Sequence, residues 1–506
     1  MIHMKNKVDV AIIGAGFAGS ILATALAKSG LRVALIDSTH HPRFAIGESS
    51  TPLADMILRR LAKIYQLPFL ENLSTWGSWQ HQFPQLTCGR KRGFSYYRHH
   101  RHQFYSEQKL GENSLLVAAS ENNEVADTHW YREEVDEFLF QEAIKHGAIE
   151  FLGHKIVQIE NETSGPFTLR SIGESGEATV HSDWIVDASG SAAVSAKIMG
   201  QPDLTNTLRT QTRTTYGHYR DVGSWSQQLH ELGQNTQQDP FDSDDAAQHH
   251  LLDNGWLWML RFNNGITSVG RTEWIGTELL GSEKLETKQR EARQLGNRAE
   301  SLSHNFQDYP SLDKIMAMAS LTAPSQGARS TARLQRLVPP LVSQRHLMLP
   351  TAAMTLDPLH STGIAHALAG VDRILNVILL SGNNKNQLHA IKQYESSFLE
   401  ESDLLDELVS TAYQVMGDFE RFTAACMIYF AGAICCEESY QRGYHPTHLW
   451  NADDTEFVRF AKQACLVLRQ PNDEYKSMIT EGLSPWNTAG LMDPGVQNRY
   501  AYTATK

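Results

Sequence analysis

The chain has 506 residues, 41% of them apolar and 20% charged, a globular balance in a length too great for one ordinary core. A net charge of −12 argues against a nucleic-acid or anionic-membrane surface as the main partner. Five cysteines (Cys88, Cys426, Cys435, Cys436 and Cys465) show no CxxC spacing and read as buried thiols in a reducing compartment, not as a disulfide framework or a zinc site. The lysines and apolar run near the N-terminus look superficially like a signal peptide. The run is only a strand long and passes into glycines, so a signal is not expected. The longest apolar stretch, 424–436, is short for a bilayer span, and the expectation is a cytoplasmic protein without one.

In chain order, residues 8–13 form a β-branched run, 17–29 a small, apolar, helix-like segment, and 31–37 a second strand. This βαβ opening predicts a parallel sheet covered by helices. Helical spacing follows at 53–64, then a polar, aromatic region to Tyr105. Residues 133–146 read as a helix, and 149–159, 167–172 and 184–187 as strand-like segments. Residues 227–250, rich in Gln, Asp and His, are expected to be a surface excursion. Strands at 256–262 and 266–270 flank the Asn263-Asn264-Gly265 turn. A last sheet strand is expected at 345–349, a helix from about Ser361, and helices through 387–438. The tail after about 470 is polar and carries no assignment.

Gly14-Ala15-Gly16-Phe17-Ala18-Gly19 follows a strand and opens a helix, the context that a dinucleotide fingerprint needs. Gly14 permits the tight turn, Gly16 lets backbone approach a pyrophosphate, and Gly19 allows close helix–strand packing. The helix N-terminus adds free N–H groups and a positive dipole end. Asp37, ending the second strand, is placed to accept ribose hydroxyls. From these residues alone, NAD and FAD both remain open.

Further segments resemble the large flavin monooxygenase-type fold, in particular its flavin-dependent halogenase branch. Gly47-Glu48-Ser49 resembles that branch's segment beside the flavin, and Arg43 sits where the family places a cofactor-contacting arginine. Tyr131-Arg132 with Val135, Asp136, Leu139, Ala143 and Gly147 resembles the helix whose arginine faces the cofactor phosphates. Asp187-Ala188-Ser189-Gly190 resembles the second nucleotide motif. Asp357-Pro358-Leu359-His360-Ser361-Thr362-Gly363-Ile364 resembles the flavin-proximal stretch whose Ser-Thr-Gly step holds the halide. An anion there is physically sensible, because a helix start offers exposed N–H groups. With Asp418-Phe419-Glu420 and Tyr429-Phe430, the resemblance runs over about residues 8–436.

The resemblance implies FAD, delivered as FADH2 by a separate flavin reductase, and chloride or bromide. It implies an oxygen-derived C4a-hydroperoxide that halide attacks to give hypohalous acid. A substrate-side lysine then directs the halogen onto an electron-rich aromatic, either a small molecule or a carrier-bound one. The matching residue is Lys91, in Arg90-Lys91-Arg92-Gly93-Phe94-Ser95-Tyr96-Tyr97, with Phe94 and Tyr96 as chamber residues. Arg90, Arg92 and Arg98 are expected to press its pKa down if they lie close in space. Read without the resemblance, a lysine between arginines is a solvated basic face.

Three departures from the family pattern stand out. Trp256-Leu257-Trp258-Met259-Leu260-Arg261 keeps both tryptophans of the family's Trp-x-Trp-x-Ile-Pro but replaces its last pair, and two aromatics on a core strand explain them equally. Pro350-Thr351-Ala352 stands where the fold has Gly-Asp-Ala, leaving Thr351 a hydroxyl but no charge toward the flavin ribityl chain. His360 replaces a glutamate or phenylalanine and is suited to orienting a hydroxyl or taking a ring proton, or to being a polar wall residue. The histidines of His99-His100-Arg101-His102 and His249-His250 lack ligand companions and read as solvated loop, with no metal expected.

The expected fold is α/β: a discontinuous FAD-binding Rossmann-like three-layer domain (1–200 and 325–385) interleaved with strands of the substrate domain, an inserted mixed-sheet substrate region (66–110 and 201–324) and a C-terminal helical part (386–506). Competing activities on the same scaffold are a flavin hydroxylase, a reductase of the geranylgeranyl-reductase type and a non-catalytic FAD binder.

Overall fold

The computed structural model describes residues 5–161, 165–174, 176–276, 306–343, 345–380, 384–471 and 474–501. The strand Lys5–Ile13 lies between Val33–Asp37 and Gly176–Asp187, parallel to both. Buried on both faces, it carries an unbroken apolar run, Val10 to Ile13, as an interior parallel strand must. The sheet has eight strands. His346–Met348 pairs parallel with Gly176–Asp187 on the far side, and Ile149–Leu152 closes the other edge beside Val33–Asp37. An antiparallel meander, Lys155–Asn161 and Phe167–Gly173, hangs from Gly176–Asp187, which interrupts the parallel order as the sequence suggests. The helix Phe17–Lys28 buries Ile21, Leu22, Ala25 and Leu26 and packs against Arg132–Lys145.

A second, nine-stranded sheet runs in the order 320–323, 212–220, 267–274, 255–261, 246–252, 93–98, 114–118 and 499–500, with 329–330 beside 212–220. One expectation needs correction. Residues 227–250 are not a surface excursion: Trp225–Glu231 is a helix capped by Ser224, and Ala246–Leu252 is a fully buried strand near the middle of this sheet. Several of its polar side chains find partners within the core. Gln248 donates to the Ser243 carbonyl at 2.7 Å, and His249 Nδ1 lies 3.1 Å from the Ser95 carbonyl. Polar composition therefore concealed a core strand. The tail is also structured, with a helix at Tyr475–Leu483 and the strand Arg499–Tyr500, which pairs parallel with Ser114–Ala118. A two-residue strand has no periodicity to read. Residues 114–118 and 499–500 thus both join the second sheet.

The helical part contains Asn384–Val415 and Phe419–Gln441, separated where Asp418 caps the second helix by accepting from the Arg421 N–H. The apolar run 424–436 lies within Phe419–Gln441, which, like Thr362–Leu379, is long and apolar enough to cross a membrane. Most of both helices is buried inside the protein (83% and 72% of their apolar windows), so their apolar faces belong to the core.

Candidate cofactor and substrate site

At the nucleotide end, Gly14 has φ +112°, and a Cβ there would fall 2.4 Å from the Ala188 carbonyl oxygen. The two nucleotide motifs thus meet at a distance that only glycine permits. A Cβ on Gly19 would lie 2.0 Å from the Gly14 carbonyl, which fixes the helix against its own strand. Gly16 caps the helix without any side-chain hydrogen bond, leaving first-turn N–H groups for an anion. Arg43 and Arg132 converge there: a Cβ on Gly16 would be 3.5 Å from one guanidinium and 3.8 Å from the other. Arg132 pairs with Asp136 at 2.7 Å and donates to the Ile46 and Gly47 carbonyls, so it is held rigidly. Arg43 lies 3.6 Å from Asp37, whose carboxylate also accepts from the Ala15 N–H at 2.9 Å.

Asp187 is buried and accepts from the Ser189 and Ser195 N–H groups, shaping the turn that carries Gly190 at φ +57°. Beside it, the Thr351 carbonyl accepts from Arg336 at 3.3 Å, and the same guanidinium reaches Gly190 O and Ala352 O. Sequence reasoning missed Arg336. It places a cation next to the segment where the fold usually has an aspartate. Two polar atoms near this end, Arg43 Nε and Ser49 Oγ, are buried without partners among the described residues. Glu48 is not free to meet a ligand, since its carboxylate takes His218 Nε2 at 2.7 Å in full burial. These residues fit a dinucleotide: two cations and uncapped N–H groups for phosphates, a carboxylate for ribose, and orphaned polar atoms facing the same loop.

The second feature is the start of the helix Thr362–Leu379. Ser361, at φ 55°, provides no side-chain cap, and nothing lies within 4 Å of where a Cβ on Gly363 would be. Ser361 and Thr362 are nearly buried while Gly363 is exposed, so the turn offers open N–H groups at a positive helix end. Asp357 turns inward. It accepts from Thr212 Oγ1 and Tyr413 OH, both at 3.0 Å, and from the Leu359 N–H, and burial raises its pKa to about 6. It therefore shapes the turn from inside, while Pro358 accepts from the Ser361 N–H.

His360 joins this turn to an aromatic wall. Its ring stacks on Tyr429 at 4.1 Å, its Nδ1 lies 3.3 Å from Tyr96 OH, and its Nε2 has no partner among the described residues. Burial holds its pKa down to about 3, so it is neutral. Tyr96 stacks on His249 at 4.4 Å, and Phe430 meets Phe94 edge-on at 5.4 Å. A narrow recess follows, lined by Phe94, Val117, Tyr429, Phe430, Ala433 and Glu437 together with Thr51, Leu491 and Tyr500.

Lys91 lies directly behind this wall. It is fully buried and not a solvated face; its ammonium sits 3.9 Å from the centre of the Phe94 ring and donates to the Ser50 carbonyl. The strand Cys88–Lys91 pairs antiparallel with Asp127–Trp130, which sets Asp127 opposite Lys91. Burial lowers the Lys91 pKa to about 8, while Asp127, Asp55 and Glu437 oppose the shift. The flanking arginines do not cause it, contrary to expectation. Arg90 pairs with Asp245, Arg92 donates to Ser120 and Asn123, and Arg98 is bound to Leu252 O and Asp253. Burial raises the pKa of both Asp55 and Asp127, and the neighbouring Asp127 carboxylate raises that of Asp55 further. Burial likewise pushes Glu437 up to about 8. No sequence signal pointed to these acids, because they lie on separate segments.

The histidine expectations are also corrected. His99 and His250 are buried and lie 3.0 Å apart, and His249 is buried, whereas His100 and His102 are exposed. Trp256 and Trp258 are buried on one face of Gly255–Arg261; Trp256 donates to Tyr413 OH at 2.7 Å, and Trp258 to Ser268 at 3.2 Å. Arg261 donates to the Val222 and Gly223 carbonyls, a structural role on the same strand.

Residues 8–231 match the family model for pyridine nucleotide-disulphide oxidoreductases. Over 372 residues the chain is 26% identical to the tetracycline 7-halogenase of Kitasatospora aureofaciens, covering 72% of this chain and 62% of that protein. It is 25% identical over 441 residues to the monodechloroaminopyrrolnitrin halogenase PrnC of Pseudomonas fluorescens, covering 85% and 72%. The solved structure of halogenase PltM in complex with phloroglucinol and FAD superimposes with a TM-score of 0.82 at 22% identity, covering 98% of this chain and 100% of that one. At that identity the structural match speaks for the fold. The chain spans less than two thirds of the tetracycline enzyme's length.

Proposed function

We propose that this chain, which belongs to the flavin-dependent halogenase family, is an FAD-dependent enzyme that transfers oxidised chloride or bromide to an electron-rich aromatic acceptor, free or carrier-tethered. The observation that carries the reading is the juxtaposition of a buried lysine and an aromatic recess with an uncapped helix start. His360 and Tyr429 link them across a single stacked wall. Reduced and bound, FAD supplies the oxygen activation that turns halide into a hypohalous oxidant. A separate reductase is the natural source of FADH2, and an exchangeable cofactor accords with Thr351 in place of an aspartate.

Gly14, Gly16 and Gly19 would admit the pyrophosphate, with Arg43 and Arg132 opposite its charge, Asp37 at the ribose, and Ser49, Asp187, Gly190 and Thr351 framing the rest, while Glu48, held by His218, would only shape the loop. The Ser361-Thr362-Gly363 turn would hold the halide by N–H donation at the helix start. Asp357 and Pro358 set that turn. Trp256 and Trp258 brace the chamber floor through Tyr413 and Ser268. Lys91, with its pKa near 8, is mostly cationic at neutral pH and acts as hydrogen-bond donor to the oxidant, aiming its halogen into the recess. His360, neutral and with a free Nε2, is placed to accept a hydrogen bond from the oxidant on its way to Lys91. The five cysteines are all free, which accords with a reducing compartment such as the cytoplasm.

The test is direct. Supplied with FADH2, oxygen, bromide and an electron-rich probe such as resorcinol, the protein is expected to yield a monobrominated product with its isotopic doublet in the mass spectrum. A product heavier by one oxygen would instead make it a hydroxylase, and unchanged probe with oxidised flavin would remove the halogenase reading.

A further inference from the structure

Glu437 is buried, lines the recess, and makes no hydrogen bond or ion pair with a described residue. An acid placed in an apolar wall without a partner costs stability, and such groups are kept where something else completes them. Its neighbours in the recess are aromatic and aliphatic: Phe94, Tyr429, Phe430, Val117 and Ala433. These offer flat faces to a ring, and Glu437 is the acid among the residues that line the recess. The charged groups that act on Glu437 are Asp127, Lys91 and Glu438. Neither Asp127 nor Lys91 lines the recess, so Glu437 is the acid that meets an occupant from this cluster.

We propose that Glu437 is a specificity-determining residue that accepts a hydrogen bond from an O–H or N–H donor carried on the acceptor's ring. The acceptor is thereby restricted to rings bearing a hydroxyl or amino hydrogen, and the ring is oriented in the wall beside Lys91. This inference rests on the recess being the substrate chamber of the proposed enzyme. A donor hydrogen bonded to Glu437 also raises electron density in the ring, which suits attack by an electrophilic halogen. With its pKa pushed up to about 8, Glu437 keeps its proton at neutral pH and donates as well as accepts; ether or fully alkylated analogues can take that proton but leave the carbonyl oxygen without a donor.

The experiment is calorimetric and needs neither halide nor reductant. Resorcinol and 1,3-dimethoxybenzene are titrated into the FAD-loaded protein and into the Glu437→Leu and Glu437→Gln variants. The wild type should bind resorcinol about 10-fold more tightly than the dimethyl ether, the range of leaving a buried acceptor unsatisfied. Glu437→Leu should abolish that preference by weakening resorcinol alone, and Glu437→Gln, whose amide oxygen still accepts, should retain part of it. Removal of an unpaired buried acid should leave the melting temperature of the Leu variant unchanged or higher, which separates lost binding from lost folding. An unaltered preference in Glu437→Leu, no preference in the wild type, or no binding of either probe would overturn the proposal. Because binding is read without turnover, failure to halogenate would leave this result standing, so the two readings fail separately.

Discussion

At the nucleotide end of the site, a single stretch from Gly14 to Asp37 supplies the turn, the helix start and the ribose carboxylate, and the chain needs only one crossover to assemble them. At the lysine end, Asp55, Lys91, Asp127 and Glu437 come from a helix, two paired strands and a second, distant helix. Backbone constraint builds the first region: a Cβ at Gly14 or Gly19 collides with backbone. Burial of opposite and like charges builds the second. Generic dinucleotide binding can be written locally, whereas the chemistry that follows must be assembled by the whole fold.

The largest effect should come from Lys91→Ala. Product formation is expected to fall by about 10²- to 10⁴-fold, in the range of a lost proton-handling or hydrogen-bonding group, while flavin reoxidation keeps its halide dependence. If both fall together, the lysine end is not separable from the flavin end. Next, Gly19→Ala should weaken FAD binding by roughly 100-fold, about 3 kcal/mol, because the clash is with backbone. Gly363→Ala is its counterpart. With open space around it, the melting temperature should move by no more than about 1 °C, and a shift beyond about 4 °C would show that the helix start is packed.

The nucleotide fingerprint was legible because its glycines, its helix start and its terminal acid stand at fixed offsets, whereas Ser361-Thr362-Gly363 drew notice only through a family resemblance. The Asp55, Asp127 and Glu437 carboxyls were not, since each is an ordinary residue on its own element until the paired strands and the 419–441 helix converge. The Ala246–Leu252 strand was misread because Gln248, His249 and His250 find partners only across the sheet, in Ser243, Ser95 and His99. The Arg499–Tyr500 strand was invisible because two residues carry no pattern. Lys91's low pKa was anticipated from its arginine neighbours, yet burial produces it and those arginines are engaged elsewhere.

Smaller effects sharpen the same contrast. His249 is held down to about 3 by burial, so below about pH 6.5 the unfolded chain binds a proton that the folded chain does not. Stability contributed by the neutral ring is therefore present above that pH and lost as pH falls. The destabilisation of His249→Gln relative to wild type should shrink by about 1 kcal/mol between pH 6.5 and 5.5 in urea unfolding. A constant difference would mean the ring is solvated after all. Least of all, Trp256→Phe should cost about 1 kcal/mol by releasing Tyr413 OH, with the product unchanged. A switch from halogenated to oxygenated product would give the tryptophan a chemical role instead.

The most direct test of the central claim is a stopped-flow measurement: the FAD-loaded protein is reduced without oxygen and then mixed with oxygen at a series of chloride or bromide concentrations. The account predicts that the flavin's return to its oxidised spectrum accelerates with halide and saturates, and that Gly363→Pro, which removes a first-turn N–H, shifts the saturation to higher concentration. Traces that superimpose at every halide concentration would contradict it.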